Sequence, residues 1–507
     1  MVPRGRPVDN PARGVTRGAP ACYYPPYMNT ILTLSASKIA AMIKDGRLTS
    51  REAVDAHIAQ VEKVNAVLNA VVRTRFDEAR AEADAADLCL KASGPAGLPP
   101  FHGVPCSIKE CFALTGMPNT GGLVARKGLI AREDATAVAR LRAAGAIPLG
   151  VTNLSELCMW MESDNRVYGR TNNPYNPARI VGGSSGGEGA IVGAAGTPFG
   201  LGSDIGGSIR MPAFFNGVFG HKPSGGLVPA TGQFPIARNE ALRYLTTGPL
   251  CRRAEDLWPL LKVLAGPDGK DGGCTPIPLG DPAVVSMKGL TVIVVEENGA
   301  VKVSPDMKGA LHRAARALGE RGASVRSARY PALKKSFEIW SAKLEKAGGE
   351  KFGTLLGNGT PVNPVLEVAR YLSGRSTHTL PAVGLALLES LSGIALGSLD
   401  KWVDMGEELK ADLPRDIGEH GVPLYPSYPT VAPRHHAPLF PPLRWVYTAI
   451  LNVMELPVTQ VPLGLNDEGL PLGVQVASIH GRDHVTIAAA MELEKVLGGW
   501  VPPALAM

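Results

Sequence analysis

Long apolar runs, a disulfide framework and a broadly basic body are all missing from this 507-residue chain. No stretch of about 18 or more residues stays apolar, so no transmembrane helix is expected. No apolar run follows the early arginines, so no secretory signal is expected either. The cysteines (Cys22, Cys89, Cys106, Cys111, Cys158, Cys251 and Cys274) are odd in number and scattered. That pattern predicts a reduced, cytoplasmic chain rather than a cross-linked one. Zinc spacing is lacking: Cys106 and Cys111 do not fit it, and the His435-His436 pair has no third ligand at hand. Neither a metal nor a cofactor is expected. A Walker motif is absent as well, which removes the simplest phosphate-loop reading of the glycine-rich segments.

What charge there is sits unevenly. Half of the net +6 comes from Arg4, Arg6, Arg13 and Arg17 against Asp9 within residues 1–28. Elsewhere bases and acids balance, which predicts no nucleic-acid partner. Residues 1–28 are rich in Pro, Gly and Arg and are expected to be a disordered, dispensable tail. An apolar fraction of 45% is ordinary for a folded chain. Length alone suggests roughly one domain per 150 residues. Strand–helix alternation without a linker instead predicts one α/β domain over residues 29–507.

Local signals place several elements. Ser35 is read as the cap of a helix running to Ile43, and Thr49 with Glu52 opens another toward Val64. Apolar periodicity and turn residues predict strands at 68–72, 104–108, 147–151, 290–295 and 323–328. Helices are expected at 76–90, 136–144 and 305–319, with mostly helix over 345–420. Residues 422–441 read as Pro-rich and irregular. Residues 457–476 read as two strands, ahead of a helix at 484–497.

The densest glycine lies in Gly182-Gly183-Ser184-Ser185-Gly186-Gly187 and in Asp204-Ile205-Gly206-Gly207-Ser208-Ile209-Arg210. Glycine admits backbone shapes closed to other residues and lets N–H groups face a cavity. Consecutive amides over Ile205–Ser208 could form an anion-binding nest, and a serine beside one is placed for acyl transfer. Gly182–Gly186 also meets the G-x-S-x-G pattern of a nucleophile elbow, but that pattern leaves the second loop unexplained. A packing turn is the plain alternative for either loop. Ser35-Ala-Ser-Lys38 meets S-x-x-K without its partner motifs and reads as a cap.

Gly182–Arg210 resembles the signature of the amidase signature family, and Gly103-Val-Pro-Cys-Ser107-Ile-Lys109-Glu110 resembles its upstream lysine motif. Further similarity runs through Leu149–Trp160, Tyr168–Tyr175, Met211–Pro223, Tyr425–His436 and Leu456–Gly464. Within the family these segments are similar to fatty acid amide hydrolases, the second mammalian type above all. The resemblance implies a large mixed twisted β-sheet covered by helices on both faces. It implies Ser208 as nucleophile, Ser184 as a bridging serine after a cis Gly183–Ser184 peptide, and Lys109 as general base. It implies the amides of Ile205, Gly206, Gly207 and Ser208 as oxyanion donors. Asp204 and Arg210 would brace the loop, and Ser185 would hold it near Lys109. Lysine with its ordinary pKa of ~10.4 is a poor base near neutrality, and burial away from carboxylates favours the neutral amine. Glu110 must therefore point away, as strand neighbours do.

Cys158-Met159-Trp160-Met161 is either core helix or the wall of an acyl pocket, the role that the family's matching segment has. Residues 379–397 are unusually apolar and are either a buried helix or a lipophilic cap over the substrate entrance. Only Arg370, Arg375 and Lys401 flank them, which argues against electrostatic membrane docking. The partner expected is a small apolar amide, and a homodimer is compatible with the resemblance. The activity implied is hydrolysis of linear amides through a Ser-Ser-Lys triad and an acyl-enzyme. An esterase or carbamate hydrolase, or a tRNA-dependent amidotransferase subunit, could use the same constellation.

Overall fold

Eleven short strands, most of them buried, join edge to edge into one mixed sheet in the computed structural model. The structure describes residues 30–391, 398–440 and 442–507. The expected tail 1–28, and residues 392–397 of the apolar stretch, lie outside the described residues.

In chain order the strands are β1 (Val71–Thr74), β2 (Val104–Lys109), β3 (Ala146–Thr152), β4 (Asp164–Asn165), β5 (Gly169–Arg170), β6 (Phe199–Asp204) and β7 (Phe219–Lys222). They continue with β8 (Thr246–Cys251), β9 (Thr291–Val294), β10 (Ser324–Ser327), β11 (Gly421–Tyr425), β12 (Val458–Leu465) and β13 (Pro471–Ala477). Their order across the sheet is β1-β3-β2-β6-β8-β7-β12-β13-β11-β9-β10, while β4 and β5 form a separate ribbon. Helices flank the sheet. Strands such as β2, β3, β6 and β8 are buried along their whole length. That explains why they lack the apolar–polar alternation of a half-exposed strand.

The capping signals hold. Ser35 accepts the Lys38 N–H at the start of Ala36–Lys44, so the S-x-x-K match is a cap. Thr49 and Glu52 close a capping box on Ser50–Leu68. Two readings need correction. Residues 422–441 are not irregular throughout, because β11 lies inside the sheet between β9 and β13 despite Pro423. Strands β6, β7 and β8 were hidden by glycine, which serves close packing there rather than turning. A Cβ at Gly200 would fall 1.7 Å from Glu188 Oε2, and one at Gly248 would fall 2.1 Å from the His221 carbonyl oxygen.

The apolar stretch is not a fully buried helix. Leu380–Ser390 buries only Ala382, Val383 and Ala386, and leaves Leu388 62% exposed. Ala382 and Ala386 join Leu123, Leu157, Phe352 and Leu356 in a small core separate from the main one. Among the described residues no helix is long and apolar enough to cross a membrane.

Candidate active site

β2 and β6 run parallel side by side, β2 ending on Lys109 and β6 leading at its C-terminal end into the loop that carries Ser208. Ligands gather at such ends in sheets of this kind. Lys109 closes β2 and is completely buried. Its Nζ donates to Ser184 Oγ (2.7 Å) and to Ser203 Oγ (2.9 Å). Both partners are hydroxyls. Glu110 turns away as expected. Its carboxylate accepts the Thr120 amide (2.6 Å), the Gly121 amide (2.9 Å), and the hydroxyls of Thr120 and Tyr168 (both 2.7 Å). Burial raises the Glu110 carboxyl above its ordinary value, and these donors pull the other way.

Ser184 follows a cis Gly183–Ser184 peptide. A Cβ at Gly183 would sit 2.3 Å from the Trp160 carbonyl oxygen, so only glycine lets segment 160–162 back this peptide. Ser163 Oγ donates to the carbonyls of Gly182 and Ser184 and accepts the Gly186 N–H, holding the loop on both sides. The Ser185 amide donates to the Ser208 carbonyl (3.2 Å), which stitches the two serine loops together. Ser185 Oγ reaches the carbonyl of Ser203, whose hydroxyl contacts Lys109. Ser208 retains 7% exposure, whereas Ser184 has none.

Asp204 and Arg210 form a completely buried pair (2.9 Å) under the second loop. Asp204 also accepts the amides of Gly207 (2.7 Å) and Ile209 (3.0 Å). Burial alone would raise this carboxyl, but the Arg210 guanidinium and the Ile209 amide hold it well below the usual carboxylate range. Arg210 further donates to the Thr448 carbonyl, Asn452 Oδ1 and Gln475 Oε1. The oxyanion expectation changes at one position. The Gly207 N–H is committed to Asp204, because a carboxylate beneath the loop is the stronger acceptor. Among the described residues no acceptor engages the N–H groups of Ile205, Gly206 and Ser208.

Cys158–Met161 is no helix. Leu157 and Cys158 both take positive φ (53° and 60°), and a short turn replaces the helical run. Trp160 and Met161 back Gly183, and the Cys158 thiol lies close to Cys111, Lys109 and Ser184. Met159 packs on both the main core and the small one. The segment is clamped at each end. Glu156 accepts His378 Nδ1 (2.7 Å) and the Thr379 amide (2.8 Å), and Glu162 contacts His435 Nδ1 and the His436 amide. His435 is thus a structural partner.

Several residues at the site carried no reading from sequence. Ser203 is the second partner of Lys109. Glu188 is completely buried, accepts the hydroxyls of Ser107 (2.5 Å) and Thr152 (2.8 Å), and is pushed by burial up to about 8. Trp340, Thr448 and Asn452 hydrogen-bond to backbone carbonyls of the second loop. The signal for the last two was a buried polar pair four apart on the otherwise apolar helix Val446–Val453.

The chain is 47% identical to fatty-acid amide hydrolase 2-B of Danio rerio, over 95% of its own length and 93% of the relative's. It is 46% identical to fatty-acid amide hydrolase 2 of Homo sapiens, over 94% and 92%. The solved structure of 6-aminohexanoate cyclic dimer hydrolase with its substrate aligns at a TM-score of 0.77 and 26% identity, covering 94% of this chain and all of that one. The model of the amidase family matches residues 52–487, a span holding β2, both serine loops and the helices behind them, and the chain belongs to that family of amide-hydrolysing enzymes.

Proposed function

We propose that the chain hydrolyses linear amides bearing an apolar acyl or aryl group, yielding a carboxylic acid and an amine. The observation that carries this reading is the buried Lys109–Ser184 hydrogen bond, stitched to a loop whose free amides flank Ser208. Lys109, whose hydrogen-bond partners are hydroxyls, takes the Ser184 proton while Ser184 takes that of Ser208. Ser208 Oγ attacks the carbonyl carbon, and the amides of Ile205, Gly206 and Ser208 hold the negative oxygen. Ser184 passes a proton to the leaving nitrogen, the C–N bond breaks, and the amine departs from an acylated Ser208. Water repeats the relay and frees the acid. The names of the Danio rerio and human relatives support a fatty-acid amide as substrate. The exposed leucines on Leu380–Ser390 suit an apolar chain at the entrance.

A panel of matched amide, ester and carbamate substrates tests the bond cleaved. Turnover of the amide by the chain alone is expected, and ester turnover without amide turnover would refute the reading. A fluorophosphonate probe should label the chain and fail to label Ser208→Ala. Normal labelling of that variant would remove Ser208 from its role.

A further inference from the structure

Each of five consecutive carbonyls in the second loop has a donor behind it. Asn452 Nδ2 (2.9 Å) and Thr246 Oγ1 (3.2 Å) donate to Asp204. Trp340 Nε1 donates to Ile205 (3.0 Å), and Thr448 Oγ1 donates to Gly206 (2.7 Å). The amides of Met211 (2.8 Å) and Ser185 (3.2 Å) donate to Gly207 and Ser208. A trans peptide is planar, so its C=O and the following N–H point in opposite directions. A carbonyl held from behind therefore aims the next residue's N–H to the other side. The Asp204, Ile205 and Gly207 carbonyls aim the N–H groups of Ile205, Gly206 and Ser208, the three that no acceptor engages among the described residues. The Gly206 carbonyl aims the Gly207 N–H, which meets Asp204 Oδ1.

These anchors are not equivalent. Asn452 belongs to the Arg210 network, and Met211 lies at the start of the helix that follows the loop. Trp340 comes from Ser336–Lys346, 135 positions away, and is the anchor of the peptide leading into Gly206. Gly206 has the freest backbone type, so this peptide gains most from an outside hold. A Cβ there would meet Trp445 at 3.4 Å and Trp340 at 3.6 Å, so both rings lie over it in ordinary contact. Trp340 is itself fixed, 8% exposed and edge-to-face with Trp445 at 4.8 Å between centroids.

We infer that Trp340 is a positioning residue: its indole N–H, acting through the Ile205 carbonyl, aims the Gly206 N–H at the oxyanion of the reaction. This rests on the reading of Ser208 as nucleophile. The plain alternative is that Trp340 only packs against Trp445. The two differ in the N–H alone. Replacing Trp340 with 3-benzothienylalanine keeps the ring shape and removes that donor. Trp340→Phe serves as a second variant.

Removing an oxyanion donor outright costs about 10²–10³ in kcat, and misaiming one should cost about tenfold. The expected result is that loss in kcat with KM for a neutral amide held within about twofold. Affinity for a trifluoromethyl ketone, which adds to Ser208 and leaves a negative oxygen, should fall by the same factor. Unchanged kcat and ketone affinity in the benzothienyl variant would overturn the inference, as would a raised KM with kcat intact. Labelling by the fluorophosphonate separates the causes. A native chain unlabelled at Ser208 overturns the nucleophile and this inference together. A labelled native chain with an unaffected variant overturns the positioning role alone.

Discussion

Lys109, Ser184, Asp204 and Arg210 are completely shut off from solvent, whereas Leu372 and Phe440 are more than four-fifths exposed. The first group lies on strands and glycine loops in which hydrogen bonds tie each side chain to a neighbour. In the second, Leu372 ends the helix Pro364–Leu372, which packs on the helix Leu380–Ser390, and that helix rests on a small core of six residues. A buried polar network holds its shape because any member left without a partner costs the full desolvation of that group. Exposed apolar groups carry no such constraint and are free to meet an apolar ligand. The reacting bond needs geometry held to fractions of an ångström, and the substrate's tail does not.

That contrast can be broken from either side. Ser208→Ala should lower turnover of an anilide by about 10⁴-fold or more while the melting temperature barely moves. Loss of less than tenfold would place the chemistry elsewhere. Arg210→Met strands the Asp204 carboxylate in the interior, and urea unfolding should show a loss of about 3–5 kcal/mol.

Glu188 supplies a pH signature. Its folded value of about 8 lies above the ordinary 4.5, because burial disfavours the anion. Its contribution to stability is full below about 4.5 and disappears as pH rises through about 8. Glu188→Gln removes that titration. The melting temperature of the variant minus that of the native chain should therefore climb with pH across this window. A flat difference would deny Glu188 its raised value. Lys222, which burial lowers to about 7, contributes stability that grows with pH above that point, and cancels in the difference.

The smallest effect on stability is expected in the exposed region. Leu388→Ser should shift it by less than about 0.5 kcal/mol. The same change should raise KM for a long-chain amide severalfold and leave kcat alone. A fall in kcat instead would mean that this region helps to set the reacting geometry.

Much of the buried half was legible in sequence because its candidate site residues lie in contiguous, glycine-punctuated segments. Lys109 meets Ser184, Asp204 meets Arg210, and the two serine loops are joined through the Ser185 amide and the Ser208 carbonyl. The strands that carry them were less legible. Gly200, Gly202 and Gly248 look like turn residues, yet they are strand positions where another atom comes too close for a Cβ. The donors behind the second loop escaped notice for another reason. Trp340 and Asn452 lie 135 and 248 positions from the carbonyls they hold, and no local pattern marks a residue whose partner is that distant. Gly207 misled because its amide has the right place in the motif, and only the carboxylate below it decides where that N–H points.

Arg210 grips Asp204 at the end of β6, Asn452 and the Thr448 carbonyl on one helix, and Gln475 in β13. A chain emerging from the ribosome carries Lys109, Ser184 and Ser208 long before position 475 is made. Until β13 arrives, the guanidinium lacks its Gln475 acceptor and the bracing of the loop is incomplete. The nascent polypeptide thus holds Lys109, Ser184 and Ser208 before the hydrogen bonds beneath the second loop are complete, and this pocket takes its final shape late in synthesis.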